Sequence, residues 1–547
     1  MKSASRLLAA VFAAALLVLP VALRADDAKP AAKPAAAEKA TETGPPADST
    51  TEGAVDAGGQ HIAYTAVVGI ITVGATDAQD GQLDMDGKPQ PGSQLALSAP
   101  KDPADAPPVA RMSYVAYFKK DAKAEDRPIT FFYNGGPGSS TVWLHMGSLG
   151  PKHVVTDMDT HLPAAPYKLE DNAETLLDVS DLVFIDAPGT GFGRLIGKDA
   201  EKAFWGVDQD GGAFTRFIAR FITKYNRWNS PKFIFGESYG TTRSAVLSKM
   251  LEDRSIDLNG VILLSQIFNF TVFLDGAEGN PGVDLPYELA LPTYAATAWY
   301  HKKLSPEPAA LEPFLKEVED YAMGPYSHAL AEGTDLSDAE KQAVAEKLHD
   351  YTGLPVAYLL KANLRVDGGE FEKNFEDSED LTTGRYDTRF TGPTIDPLSK
   401  EADYDPQSAA ISSAYVSLLN DYMRRVLKYG EGQTYLPDVN VFGNGARWDF
   451  THNDNPLDLN VSSDLADAMK TNPRLKVMLN GGYYDLATPF FEAEYEEKHL
   501  PIPESLAKNI EYDWYQSGHM VYVRSECLKQ LHDRVAAFIK GATGAAQ

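Results

Sequence analysis

Apolar residues in this chain fall into short unbroken runs separated by stretches of helical spacing. Ile129-Thr130-Phe131-Phe132-Tyr133, Leu182-Val183-Phe184-Ile185, Phe233-Ile234-Phe235 and Val261-Ile262-Leu263-Leu264 have the length and composition of strands buried on both faces. Ala245-Val246-Leu247 with Met250-Leu251 marks a helix after the third run. Strands alternating with helices predict an α/β fold whose central sheet is mostly parallel and covered by helices on both faces. Upstream, residues 61–72 and 112–118 flank a Gly/Asp/Pro-rich loop, as antiparallel strands do. Between about 271 and 434 the pattern becomes mostly helical. Ser337-Asp338-Ala339-Glu340 is a capping box, and residues 411–428 form a helical stretch stopped by Gly430. Strand patterns return at residues 475–485 and 510–515. The reading is a core in two parts, 56–270 and 435–547, with an inserted cap at 271–434.

The chemistry sits where strands end. Gly236-Glu237-Ser238-Tyr239-Gly240 lies between a buried run and a helix, the context of a nucleophile elbow, in which the flanking glycines let the turn close and expose the serine hydroxyl. Downstream, one strand pattern runs into Asp485 and the next is followed by Gln516-Ser517-Gly518-His519. A serine hydroxyl needs a base to take its proton, and an imidazole needs a carboxylate to fix its tautomer and steady its cation. Ser238, Asp485 and His519 occur in the α/β-hydrolase chain order, so they are the expected catalytic residues. After the strand at 129–133 comes Asn134-Gly135-Gly136-Pro137-Gly138. Its glycines let backbone N–H groups approach a reacting carbonyl, forming an oxyanion hole with the Tyr239 amide.

These motifs together resemble the serine carboxypeptidase family, in the form of an exported bacterial member. Asn134-Gly-Gly-Pro-Gly138, Asp186-Ala-Pro-Gly-Thr-Gly-Phe192, Gly236-Glu-Ser-Tyr239 and Gly518-His-Met-Val521 follow that family's signatures in order, over roughly residues 110 to 540. The resemblance implies an α/β-hydrolase fold with an inserted cap, and release of C-terminal residues through an acyl-enzyme. It also implies that Gly136 and Tyr239 donate the oxyanion amides. Asn134, the Gly135 amide and a protonated Glu237 would hold the substrate's free carboxylate; two facing carboxyl groups must share a proton. The chain departs from the family in four places. Ser139 stands where a half-cystine is usual, Tyr133 where many members have Trp, Ser148 where some have a second Glu, and Tyr522 where the His motif ends in Pro. An esterase or acyltransferase using the same Ser-His-Asp trio is the alternative reading, and a non-catalytic binding protein on the same fold a more distant one.

Composition narrows the setting. With 547 residues, 44% apolar, the chain can bury one large core and a second lobe. A net charge of −27 argues against nucleic acid as a partner. Cys527 is the one cysteine, so no intramolecular disulfide is expected, and it reads as a small buried residue of the last helix. His145 and His153 lie near the Gly-rich loop without His-Glu-x-x-His or Cys/His metal spacing; neither metal nor cofactor is expected. Arg194 follows the Gly189-Thr-Gly191 turn and is a candidate to face the cleft. Residues 1–25 have the basic start, apolar core and small residues of a secretory signal, with an uncleaved anchor as the alternative because the apolar stretch approaches spanning length. Residues 26–55, rich in Ala, Pro, Glu and Thr, read as a disordered spacer. Localisation is therefore expected to be periplasmic or extracellular, with a peptide substrate and no stable membrane partner. The mature chain should begin near Asp26 in an exported fraction by N-terminal sequencing; cytosolic protein retaining residues 1–25 would refute this.

Overall fold

A computed structural model describes residues 46–544 except 103–104, 157–158, 444–447 and 457–458. Two units are distinguished, Met1–Ala47 and Asp48–Gln547. The expected signal at 1–25 and the spacer up to residue 45 lie outside the described residues; all that follows concerns the second unit.

Nine strands define its main sheet: β1 Ser49–Ala57, β2 Gln60–Gly74, β3 Val109–Lys119, β4 Ile129–Tyr133, β5 Asp181–Ile185, β6 Lys232–Glu237, β7 Gly260–Leu264, β8 Lys476–Gly482 and β9 Ile510–Tyr515. Their spatial order is β1-β2-β3-β5-β4-β6-β7-β8-β9, and the short strand Arg194–Ile196 also pairs with β3. The β1–β2, β2–β3 and β3–β5 pairings are antiparallel. From β5 onward every pairing is parallel. The expected strands, their mixed pairing and the mostly parallel centre are all present.

One expectation is corrected. Residues 49–55 do not belong to a spacer, because Ser49 to Ala57 pair with Val68 to Gln60 through the Gly58-Gly59 turn. Both glycines have positive φ, 57° and 72°, as a tight two-residue hairpin turn requires. This edge strand is built of small and polar residues and leaves seven of its nine positions at least partly exposed. Its local pattern therefore resembles a linker, and the pairing partner decides it.

The seven principal helices are α1 Val142–Gly147, α2 Val207–Lys224, α3 Tyr239–Glu252, α4 Leu285–Tyr300, α5 Asp338–Thr352, α6 Pro406–Arg425 and α7 Ser525–Ala542. Side chains of the buried strands alternate between two cores. Phe132, Phe235 and Ile262 pack with Leu531 and Val535 of α7 and with Tyr415 and Tyr422 of α6. Phe131, Ile234 and Val261 pack with Phe214, Phe217 and Phe221 of α2 and with Ala245 and Val246 of α3. Each such large side chain contributes about 1.5–3 kcal/mol on burial, so strands covered on both faces need no polar alternation. Cys527 is buried in α7, as expected.

Residues 271–434 carry α4, α5, α6, shorter helices and one two-stranded ribbon, Leu381–Thr383 with Thr391–Pro393. Ser337 forms the anticipated reciprocal capping box with Glu340 at the start of α5. This segment has its own core, in which Tyr294 stacks on Phe371 with centroids 4.0 Å apart. Tyr484 and Leu486, which flank Asp485, belong to that same core, so cap packing reaches the acid loop. The chain beyond the cap stays close to the turns that follow β4 and β5: Ser139 bridges Asp438, and Gly191 bridges Leu436. No helix among the described residues is long and apolar enough to cross a membrane.

At the opposite end of the sheet, Asp181 opens β5 between two buried arginines. Its carboxylate accepts from Arg127 Nε at 2.7 Å, Arg227 Nη1 at 2.5 Å and the Lys119 backbone N–H at 2.9 Å. Removing the anion would leave two buried guanidinium groups uncompensated. Asp181→Ala should cost about 3–5 kcal/mol in denaturant unfolding; an unchanged midpoint would show that water replaces the carboxylate freely.

Candidate active site

The expected triad, oxyanion and carboxylate-binding residues lie where β4, β6, β8 and β9 end. Ser238, between β6 and α3, has φ 61° and ψ −133°, a strained conformation for a side-chain-bearing residue. The two glycines around it are required by contact. A Cβ on Gly236 would strike the Gly240 carbonyl, and one on Gly240 would lie 2.9 Å from the Tyr133 carbonyl. Ser238 N–H donates to Leu264 O at 3.0 Å at the end of β7. The next residue, Ser265, donates from Oγ to His519 O at 2.7 Å. One strand end thus holds both the elbow and the histidine loop. Ser238 is partly exposed, and its Oγ has no hydrogen bond to His519 among the described residues; such bonds commonly tighten only in the substrate complex.

Asp485 and His519 are brought together. His519 Nδ1 lies 2.8 Å from Asp485 Oδ2, and Asp485 is fully buried. The other carboxylate oxygen accepts from the Ala487 and Thr488 backbone N–H groups at 2.9 and 3.0 Å. Burial draws the His519 pKa down, but the Asp485 charge and hydrogen bond outweigh it and leave it above the ordinary imidazole value. Two partners of this pair were missed in the sequence. Thr488 Oγ1 donates to Asp485 Oδ2 at 2.7 Å and sits 3.1 Å from His519 Nδ1. Tyr386, from the cap, accepts the His519 backbone N–H at 2.6 Å and lays its ring 4.9 Å from the imidazole. An Asp followed three residues later by Thr is a local signal of a side-chain-capped turn; nothing local announces Tyr386.

The Gly-rich loop rests directly on the elbow. A Cβ on Gly135 would come 2.7 Å from Gly240 N and closer still to Tyr239 N. Gly136 has φ +105°, a conformation open chiefly to glycine. Tyr239 opens α3, so its N–H is one of the helix's orphan donors. Asn134 is oriented from both ends: its Oδ1 accepts from Leu144 N–H at 3.1 Å and its Nδ2 donates to Glu237 Oε1 at 2.8 Å. Arg243 of α3, also missed, is fully buried and clamps the loop. It donates from Nη1 to Asn134 O at 2.7 Å and from Nε to Asp210 Oδ2 at 2.5 Å.

Glu237 is buried beside this loop, and burial pushes its pKa up to about 7 against the opposing pull of His519, Tyr522 and Asn134. Its Oε2 has no hydrogen-bond partner among the described residues. Ser148 faces elsewhere, donating from Oγ to Leu144 O at 2.5 Å. Arg194 does not present its charge to the cleft. It donates to the carbonyls of Gly193 and Thr434 at 2.5 and 2.7 Å, pinning the turn to the chain after the cap. His145 is a core residue, its Nε2 2.7 Å from the Tyr117 hydroxyl and its pKa lowered to about 3 by burial.

With that arrangement in view, the profile of the family described as serine carboxypeptidase matches residues 108–519. The chain belongs to the serine carboxypeptidase family. The matched residues include the Gly-rich loop, the elbow, the acid and the histidine. A "serine carboxypeptidase-like" protein of Oryza sativa subsp. japonica is 29% identical over 133 residues, 24% of this chain and 28% of the relative's own length. Among solved structures, Kex1(delta)p, a prohormone-processing carboxypeptidase from Saccharomyces cerevisiae, aligns with a TM-score of 0.50 at 13% identity. The alignment covers 88% of this chain and 92% of that one. At that identity the likeness speaks for the fold, an α/β-hydrolase sheet with helices inserted before the acid strand.

In this chain the seat of the Gly-rich loop is backbone on backbone. Gly135→Ala should lift the loop away from Tyr239 N, and a displacement near 1 Å slows catalysis about a hundredfold. Labelling of Ser238 by an organophosphorus reagent should slow by that factor while near-ultraviolet circular dichroism stays unchanged. Labelling at the parent rate would show that the loop does not set the reactivity of Ser238.

Proposed function

We propose that this protein removes C-terminal residues from peptides by a serine mechanism. Ser238 Oγ attacks the last peptide carbonyl while His519 Nε2 takes its proton. Asp485, locked by Thr488 and two backbone amides, holds Nδ1 and steadies the imidazolium. The Gly136 and Tyr239 amides receive the oxyanion. His519 then returns the proton to the leaving amine, and water attacks the acyl-enzyme through the same base. Asn134, the Gly135 amide and protonated Glu237 hold the substrate carboxylate.

The observation that carries this reading is the contrast between two carboxyl groups in one site. Asp485 Oδ1 and Oδ2 accept hydrogen bonds from two backbone amides and the Thr488 hydroxyl. Glu237 accepts one from Asn134 and is otherwise desolvated, which favours the neutral acid near neutrality. A neutral acid with a free Oε2 can donate to a carboxylate; an ester or amide end offers no charge to receive it. The esterase alternative leaves Glu237 without a task.

The sign of the pH dependence follows. Glu237 works protonated, so its contribution is present at low pH and lost as pH rises through about 7. His519 works as the free base, so its contribution is lost as pH falls through a value above the ordinary imidazole one. For peptides with a free C-terminus, kcat/KM should form a narrow bell near neutrality. Glu237→Gln keeps a donor without needing a proton, and should extend the alkaline limb upward. Paired pH–rate profiles on free-acid and amidated peptides test this. Equal turnover of both peptides by the parent enzyme at every pH would overturn the carboxypeptidase reading in favour of an esterase.

A further inference from the structure

Beyond Asn134 and Glu237, two tyrosines converge on the same place. Tyr522, three residues after His519, directs its hydroxyl at Glu237 and Asn134. Tyr415, from the middle of α6, acts electrostatically on Glu237. The two rings meet over Gly147. A Cβ there would clash with the Tyr415 hydroxyl and come within 2.7 Å of Tyr522 Cε2. Gly147 immediately precedes Ser148, where a second carboxylic acid would stand. Ser148 has turned its short hydroxyl back into α1, and Trp143 of that helix packs against Tyr415 at 5.6 Å between centroids.

Both tyrosines are fully buried. The Tyr522 hydroxyl faces Glu237 and Asn134 and the Tyr415 hydroxyl faces Thr156, yet neither forms a hydrogen bond of good geometry among the described residues, and the same holds for Glu237 Oε2. An unmet buried hydroxyl costs about 1–3 kcal/mol, and three unmet polar atoms in one place are rare in a folded protein. The Tyr522 hydroxyl and Glu237 both lie against Asn134, and the Tyr415 hydroxyl lies with the Tyr522 ring over Gly147. Tyrosine can donate without first gaining a proton, and burial holds both phenols far above their ordinary pKa, so they stay neutral donors. Such a set matches a carboxylate: hydroxyl donors, one amide and one neutral acid facing two oxygens.

We propose that Tyr522 and Tyr415 donate hydrogen bonds to the substrate's terminal carboxylate, supplying through phenol hydroxyls what a second carboxylic acid at position 148 would supply through a shared proton. The proposal rests on the carboxypeptidase reading above. Both residues are binding residues; neither takes part in proton transfer with Ser238.

The experiment measures steady-state kinetics of the full chain and its Tyr522→Phe, Tyr415→Phe and double variants on matched free-acid and amidated peptides. It also measures inhibition of simple-ester hydrolysis by an N-acetyl amino acid and by its amide. Loss of one hydrogen bond to a charged oxygen should lower the free-acid preference about tenfold in each single variant. The loss should appear in KM rather than kcat, and the inhibition constant of the free acid should rise by the same factor. If the parent enzyme prefers free-acid peptides but the variants keep that preference and the inhibition constant, this proposal falls while the carboxypeptidase reading stands. If the parent shows no preference, both fall. Folding is checked by thermal melting. A folded variant that loses ester and peptide turnover equally would place Tyr522 in support of the His519 loop and also overturn the proposal.

Discussion

Close approach of two backbone segments, the Gly-rich loop after β4 and the elbow after β6, is the constraint on which the rest of the site depends. Side-chain atoms are excluded at Gly135, Gly236 and Gly240 because other backbone atoms already occupy the space where a Cβ would go. Parallel pairing of β4 with β6 sets Tyr133 opposite Gly236, so the two turns leave the sheet side by side. The strain at Ser238 is sustained because its N–H is tied to β7 and because α3 begins at once. Arg243 completes the arrangement by joining α3 to the Asn134 carbonyl and to Asp210 of α2. A fully buried guanidinium is tolerated only when paired and hydrogen-bonded, and here the pairing is also what positions the loop.

Electrostatics divides the site into two halves. On one side Asp485 is surrounded by donors and steadies a positive His519. On the other, Glu237 is desolvated and receives one amide hydrogen bond, so the neutral acid prevails near neutrality. Asp485 pulls His519 toward the cation, and Glu237 adds to that pull only when it ionises. A fold that surrounds one acid with donors and desolvates the other can give the two carboxyl groups different tasks in one site. Tyr415 and Tyr522 extend that logic, because a phenol donates at neutral pH without any tuning.

The cap packs against the site itself. Tyr386 lies against His519, Tyr415 packs over Gly147 beside Tyr522, and Tyr484 and Leu486 bind the acid loop into the cap's own core. Movement of the cap would therefore disturb the histidine and the carboxylate pocket together.

The strands of the central sheet, the elbow, the Gly-rich loop and the Ser, Asp, His order were legible in the sequence because each is a local signal. A buried run, a glycine beside a strained residue and an acid after a strand are all dictated by a few neighbouring residues. The edge strand Ser49–Ala57 was misread because its partly exposed, polar pattern carries no such signal until β2 supplies a partner. Arg243, Tyr386, Tyr415 and the direction taken by Tyr522 were invisible for a related reason. Their roles depend on contacts across the chain, such as Asn134 with Glu237, 103 positions apart. Sequence determined which groups could do the chemistry; packing around Gly147 and Glu237 decided which of them face one another, since burial and orientation are properties of neighbours that only the folded chain provides.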